Sequence, residues 1–392
     1  MHSFADIDRS SDYLYPAIQR LEGEPVFRMF VIGTRGAGKT VFLASLYSQL
    51  EIQDKRNNYR VEVVSDDHRE FLKNKYDEVS NINRDWPVGT AEVTDFEFRC
   101  IFSSKDRDFP LFRFRYADFP GGFVTRKKIG ENEFGIRSAV RDSHTILVLI
   151  DGKKVLNALE GIDDDNEATI HKDFNDILDV VQLCIRRPLQ FVVTKHDLLA
   201  KYSLAEIRDV LLINKKFTDI VAQRQQLGIS TRLIPVSAVG ADFAEWDRAS
   251  GMMRKKRGAR AQPYNIDLTL GFAVTDSLLT RFKQQQALSE VAKGTLASMA
   301  SRVLWLVKKF GGYGVFVTDD FFVLRAVSLL DVMSSKLQQK LRDLTEEIDG
   351  RLNAIKDKND AIDAIIGIQH LLREEFSADN PASDLLQQAT VS

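Results

Sequence analysis

The sequence predicts an α/β protein with a mostly parallel sheet flanked by helices, followed by a C-terminal helical region. Three observations predict it. From residue 26 to about residue 240, short apolar, β-prone runs alternate with helical stretches, the pattern of a parallel sheet with crossover helices. Over residues 26–50 an apolar run, a Gly-rich turn and a helical run follow one another directly. Beyond about residue 287 the strand pattern gives way to a mostly helical one.

The elements follow in order. Residues 1–25 are a polar lead-in ending at Pro25. Val26–Ile32 is the first strand, and Val41–Leu50 reads as the first helix. Further strands are predicted at 59–64, 93–103, 111–117, 145–150, 189–194 and 231–236. Residues 95–102 and 112–116 alternate strictly between apolar and polar, which suggests a half-exposed antiparallel pair at a sheet edge. Residues 145–150 and 189–193 are near-continuous apolar runs and belong in the buried middle. Residues 251–264 read as a surface loop or flap, and Asp267 to about Phe282 as a closing helix, so the α/β domain spans 26–286. In the helical region, 287–376, Leu341, Leu344, Ile348, Ile355 and Ile362 keep a three-four spacing. Arg351 and Lys358 interrupt it at seam positions, so a helix packed on its own domain is favoured over a coiled coil. Residues 377–392 form a polar tail expected to be flexible.

Composition narrows the class. Of 392 residues, 28% are charged and 44% hydrophobic, a soluble globular balance with enough chain to bury a real core. A net charge of −2 argues neither for nor against a nucleic-acid partner. Cys100 and Cys184 have no metal-ligand spacing and read as buried free thiols in a reducing cytosol. The first residues lack a secretory pattern. No run of about 18 apolar residues occurs; those near 303–307 and 315–330 are broken by Lys308, Lys309, Asp319, Asp320 and Arg325. A cytoplasmic location is therefore expected, with no transmembrane segment. The basic run Arg254-Lys255-Lys256-Arg257, with Arg260, reads as a solvated loop; nucleic acid or acidic lipid would have to bind through it. It has no interleaved aromatics of the kind that stack single-stranded bases. His68, His144, His171 and His370 show no ligand spacing, and homo-oligomerisation stays open.

The chemistry concentrates in four motifs. Gly33-Thr34-Arg35-Gly36-Ala37-Gly38-Lys39-Thr40 fits G-x-x-x-x-G-K-[ST], with Val41 next in the helix. Its glycines let backbone N–H groups converge on an anion at the positive end of the helix. Lys39 would reach the β- and γ-phosphates, and the Thr40 hydroxyl would ligate Mg²⁺. Asp118-Phe119-Pro120-Gly121 fits D-x-x-G: Asp118 would hold the Mg²⁺ shell and the Gly121 N–H would meet the γ-phosphate. Thr194-Lys195-His196-Asp197 fits [NT]-K-x-D. There the Asp197 carboxylate would accept from the guanine N1–H and 2-amino group, a donor pair adenine lacks. Lys195 would lie along the base plane and pack against the phosphate loop. After the last strand, a backbone N–H of Ser237-Ala238 would meet the guanine O6. A switch threonine should reach Mg²⁺ from between the phosphate loop and Asp118. Thr90 is the choice, after a Pro-x-Gly turn and before a strand, with Thr94 as runner-up.

Four motifs in this order, each at the C-terminal end of a predicted strand, resemble the translation-factor-related and Ras-like class of P-loop GTPases over residues 26–282. Trp86-Pro87-Val88-Gly89-Thr90 and Tyr264-Asn265-Ile266-Asp267 further resemble bacterial double-GTPase-type proteins of conflict and defence neighbourhoods. The resemblance implies a P-loop NTPase fold, GTP or GDP with Mg²⁺, GTP hydrolysis, and an effector or regulatory protein that reads the nucleotide state. Two positions depart from the pattern. Gly122 stands where efficient Ras-like enzymes carry the Gln that orients the attacking water. Arg35 stands third in the loop, where many members carry Gly; its guanidinium would stabilise transition-state charge in cis or face solvent, and Arg126 is a second such candidate. A slow switch is expected. The alternatives are a non-hydrolysing GTP-binding scaffold and a P-loop ATPase, for which 194–197 would be coincidence. A dynamin-like membrane remodeller would need a longer helical stalk.

Overall fold

The structure, a computed structural model, describes residues 26–34, 36–53, 58–87, 94–104, 107–118, 138–162, 167–247, 250–277, 316–318, 321–323, 365, 369 and 372–385. β1 (Val26–Gly33) leads through the Gly-rich turn into α1 (Lys39–Leu50), followed by β2 (Arg60–Val63) and α2 (Asp66–Ser80). β3 (Thr94–Ser104) and β4 (Arg107–Asp118) come next, then β5 (Thr145–Asp151), α3 (Gly152–Glu160) and α4 (Glu167–Gln182). β6 (Leu189–Thr194), α5 (Leu204–Leu212), α6 (Lys215–Gln226) and β7 (Thr231–Pro235) complete the alternation. A hairpin of β8 (Ala244–Asp247) and β9 (Met252–Lys255) precedes α7, residues 266–277.

The seven strands β1–β7 form one sheet in the order β2-β3-β4-β1-β5-β6-β7. β1 pairs in parallel with β4 and β5, and β5, β6 and β7 continue in parallel. β3 is antiparallel to both neighbours, so it alone runs against the rest. All seven predicted strands are present, and the expected antiparallel pair is β3–β4. That pair is not outermost, because β2 adds a further strand beyond β3. β5 and β6 are buried along their whole length, as their unbroken apolar pattern requires.

Successive side chains of β1 point to opposite faces and feed two cores. Phe27, Met29 and Val31 pack with α1 and α7, while Phe30 and Ile32 pack with α4, α5 and α6. α2 starts where Ser65 caps it, its Oγ accepting from the His68 N–H at 3.4 Å, with Asp66 and Asp67 at the positive end of the helix. Cys100 and Cys184 are buried free thiols. Among the described residues no helix is long and apolar enough to cross a membrane.

Two expectations need correction. Residues 251–264 are not all loop: Met252–Lys255 is β9, paired antiparallel with β8. The Met-Met-Arg-Lys stretch hides this because it is short and its two half-buried positions, Met253 and Lys255, do not make an apolar alternation. The tail expected to fray from 377 is held on the sheet over residues 377–385. The Leu385 N–H donates to the Thr231 carbonyl at 3.2 Å, Arg232 and Asp384 form an antiparallel bridge, and Phe376 packs on Phe272. Apolar and polar contacts both hold it: Phe376 and Leu385 each join one of the two cores. Arg232 donates to Asp276 of α7 at 2.6 Å and to the Ser377 hydroxyl at 3.0 Å, and Arg373 adds a second cation 3.4 Å from Asp276. The closing helix is seen to residue 277. Residues 1–25, most of 287–376 (Leu341 to Ile362 included) and 386–392 lie outside the described residues.

The Arg232 and Asp276 side chains are 3% and 2% exposed, so removing one partner strands the other charge in the core. Asp276→Asn is expected to lower unfolding stability by about 3–5 kcal/mol in urea titration, and Arg232→Met with Asp276→Leu to recover much of that loss. A single-mutant loss below about 1 kcal/mol, the size of an exposed pair, would show that this contact does not hold the C-terminal return.

Candidate nucleotide-binding site

The phosphate loop joins the end of β1 to the start of α1. Gly36 and Gly38 have φ of +86° and +78°, a conformation that side chains with a Cβ seldom adopt. Gly38 is the N-cap of α1; no side chain caps it and no acidic residue stands in the first turn. The positive end of α1 therefore lacks a side-chain anion of its own, which fits a phosphate. Lys39 is 7% exposed, and its ammonium donates to the Gly33 and Thr34 carbonyls at 3.0 and 3.4 Å, arching over the loop. Thr40 is buried beside it, and Val41 joins a small apolar cluster with Ala238.

A second element reaches this loop from β6. The Thr194 hydroxyl lies 2.9 Å from the Ala37 carbonyl and 3.0 Å from the Ile150 carbonyl, so its proton is shared between the phosphate loop and β5. Lys195, at φ +52°, pairs with Asp151 at 2.9 Å. Asp151 ends β5 and caps α3 through the Lys153 N–H at 3.0 Å, and its Oδ2 is 3.6 Å from where a Gly36 Cβ would stand. Asp151 thus stands between Lys195 and the phosphate loop. The turn after β5 must be Gly152, because a Cβ there would come 2.1 Å from the Thr194 carbonyl oxygen.

The next loop approaches from β7. The Ser237 hydroxyl donates to Asp197 at 2.7 Å and accepts from the Gly240 N–H at 2.8 Å. Ser45 of α1 donates to the Ala238 carbonyl at 3.1 Å, and Tyr264 exchanges backbone hydrogen bonds with Ser237 at 3.0 and 3.3 Å. The Ser237 N–H is thereby engaged, which leaves Ala238 as the residue whose N–H is the candidate for a base oxygen. Burial raises the pKa of Asp197, and the Ser237 hydrogen bond opposes that rise.

The structure thus gathers Gly33, Thr34, Gly36 to Thr40, Thr194–Asp197 and Ser237–Ala238 at the C-terminal ends of β1, β6 and β7. Asp118 ends β4 beside Val31 of β1, with Thr94 directly opposite it on β3. Arg35, Thr90, Gly121, Gly122 and Arg126 lie outside the described residues. The basic run divides. Arg254 pairs with Glu245 at 2.6 Å, Lys255 turns inward, and Lys256, Arg257 and Arg260 are what remains for an external partner.

Asp151, Gly152 and Tyr264 are site residues that the motif patterns do not name. An Asp-Gly pair closing a buried strand signals the first two; Tyr264 stands in the Tyr264-Asn265-Ile266-Asp267 stretch, which gave it no role at the site. His196 also has more to do than fill the motif. Its Nδ1 lies 2.9 Å from the Tyr264 hydroxyl, and burial lowers its pKa to about 4. Burial and then the Asp197 charge raise that of the Tyr264 phenol.

A Gly-rich loop between the first strand and first helix, at the C-terminal edge of a mostly parallel sheet, defines a P-loop NTPase fold. Several solved structures are similar. They include the signal recognition particle receptor SRb-GTP/SRX complex from Chaetomium thermophilum (16% identity, 56% of this chain and 92% of that one, TM-score 0.35). Translation elongation factor SelB from Methanococcus maripaludis, in complex with the GTP analogue GppNHp, is another (15% identity, 54% and 30%, TM-score 0.26). A third is the G domain of the T. maritima FeoB iron transporter (11% identity, 54% and 88%, TM-score 0.25). No protein-family model and no curated protein sequence matches the chain.

His196 gives the fold a pH dependence whose sign is fixed. Its folded pKa, about 4, lies below the ordinary value of 6.5, so the unfolded chain takes up the proton first. Unfolding stability should fall as pH drops from about 6.5 to about 4, by up to roughly 1.4 kcal/mol per pH unit, and this contribution should be flat above that window. Urea titrations of the wild type and His196→Gln across that range check it; identical pH profiles would remove His196 as the cause.

Proposed function

We propose that this chain binds GTP and GDP with Mg²⁺, hydrolyses GTP slowly, and acts in the cytoplasm as a switch read by an effector protein or by its own C-terminal helical region. The observation that carries the proposal is the Asp197 carboxylate, half-buried and oriented by Ser237 at 2.7 Å, on the loop that Thr194 ties to the phosphate loop. An ionised carboxylate only accepts hydrogen bonds. Guanine offers two adjacent donors to such a group, whereas adenine would leave it buried with an acceptor where a donor is needed. A donor pair from guanine would also favour the charged form that burial disfavours.

Each residue has a part in this reading. The loop N–H groups from Thr34 to Val41 and the Lys39 ammonium bind phosphate oxygens, with Lys39 withdrawn from the Gly33 and Thr34 carbonyls on which it rests. Thr40, Asp118 and Thr90 would hold the Mg²⁺, which would supply positive charge to offset the charge that develops on the phosphates. Gly121 offers an N–H to the γ-phosphate, and the Ala238 N–H meets the guanine O6. Gly122 has no side chain with which to orient water, so the intrinsic rate is slow. Arg35 supplies stabilising charge in cis. The same glycine favours the second reading, a scaffold that holds GTP without cutting it.

In equilibrium titration the protein should prefer GTP and GDP over ATP by at least about a thousandfold. Asp197→Ala should abolish that preference, and Lys39→Ala should weaken every nucleotide triphosphate. Equal binding of ATP, or an unchanged preference in Asp197→Ala, would sink the guanine reading. Single-turnover hydrolysis separates switch from scaffold: a rate that Lys39→Ala removes identifies the switch, and a rate equal to that in water identifies the scaffold.

A further inference from the structure

The loop that carries Ser237-Ala238 does not return directly to α7. It makes a detour through the β8–β9 hairpin, and one half-buried cation in that hairpin, Lys255, meets a distant part of the chain. Lys255 donates from its ammonium to the Glu78, Asn81 and Arg84 carbonyls, the latter two at 3.0 and 2.9 Å. These carbonyls belong to the C-terminal turn of α2 and the residues just after it. α2 has no basic residue in its own last turn, so Lys255 supplies from about 175 residues away the cation that a helix C-terminus favours.

The same ammonium stands 4.7 Å from the centre of the Trp86 ring. The Trp86 indole N–H donates to the Met253 carbonyl of β9 at 2.7 Å, and its ring lies edge-on to Phe243, 6.2 Å between centres. Around them Val79, Val239, Phe243 and Ala244 form a small apolar core that also takes in Val41 of α1 and Ala238. The hairpin is thus fastened to α2 on one side and to the base-recognition loop on the other. On its far side Trp246 receives the Lys153 ammonium 4.9 Å from its ring centre, two residues beyond the Asp151 that holds Lys195.

We propose that Lys255 is a positioning residue for nucleotide retention: by capping α2 and gripping Trp86, it locks the hairpin and hence the Ser237–Ala238 loop in the pose that receives the base. This inference rests on the guanine-nucleotide reading above. Lys255 touches no part of the nucleotide in that reading, and Asp197 and Ser237 keep their own contacts without it. Losing Lys255 frees the loop's outer support, so bound nucleotide leaves sooner while the phosphate loop stays intact.

The test uses the full chain. Release of a fluorescently tagged GDP is timed for the wild type, Lys255→Met, Lys255→Arg and Trp86→Phe, with Arg257→Ala as a control from the exposed part of the same loop. Amide hydrogen exchange over residues 76–87 and 239–261 is followed in parallel. Lys255→Met should release the nucleotide about tenfold or more faster, the scale of one lost hydrogen bond to a charged group, and should exchange faster over both segments. Exchange in β5 and β6 should be unchanged. Lys255→Arg should restore most of the effect, and Arg257→Ala should match the wild type. If Lys255→Met does not fold, Trp86→Phe, which keeps the ring and loses the indole donor, should show the same direction. A wild-type release rate in Lys255→Met, or in Trp86→Phe should the first not fold, overturns the inference alone. A wild type that holds no tagged GDP overturns the nucleotide reading beneath it.

Discussion

The candidate site depends on a junction at the end of β6, where a buried threonine joins three loops. The Thr194 hydroxyl reaches both the Ala37 and Ile150 carbonyls, so the phosphate loop, the end of β5 and the base motif share one proton. A hydrogen bond of this kind contributes only about 1 kcal/mol of net stability. Its importance is geometric. It sets how far the phosphate-loop N–H groups stand from the Asp197 carboxylate, the distance a nucleotide would span in the function proposed. The Lys195–Asp151 pair makes the same connection a second time with charge, and Gly152 admits it by leaving room for the Thr194 carbonyl. A side chain at 152 would disturb the phosphate and base ends together.

The sheet explains why these loops can meet. Parallel strands end on the same side, so β1, β4, β5, β6 and β7 deliver their following loops to one edge. The reversal of β3 serves that edge differently. It starts where β4 ends, which puts Thr94 opposite Asp118, on the side proposed for the metal. β2 outside β3 and the C-terminal return outside β7 then cover the two borders, so neither inner strand presents a bare edge.

Much of this was legible in the sequence, for a physical reason. Strand burial is written locally: the unbroken apolar runs of β5 and β6 and the alternation of β3 and β4 each follow from which faces are covered. The loop motifs were legible because phosphate binding needs Gly at a left-handed turn and Lys at the start of a helix, in that order. Contacts between distant residues were not legible. Lys255 looked like one member of a solvated basic run, since nothing next to it says that the carbonyls at the end of α2 will need a cation. The return of 377–385 was read as fraying because its hold on the core is scattered: Ser377 on the buried Arg232, and the isolated apolar side chain of Leu385, with no local apolar stripe to announce it. The contact of His196 with Tyr264 was not legible either, because the two lie 68 residues apart.

The two halves of the proposed activity rest on different kinds of support. Binding is assigned to groups that strand ends and helix starts hold in place: Lys39, Thr194, Lys195, Asp197 and Ser237 each have a partner that fixes them. Cutting needs a water to be oriented, and at position 122 the chain offers only a glycine. Tight recognition of the ground state lowers no barrier unless something binds the transition state better. A chain that holds the nucleotide firmly at the base and phosphates, and offers little to the attacking water, is suited to staying in one state. In the function proposed, the time spent there would be set by how long the base loop keeps its shape, and so by the hairpin and the α2 helix that Lys255 caps.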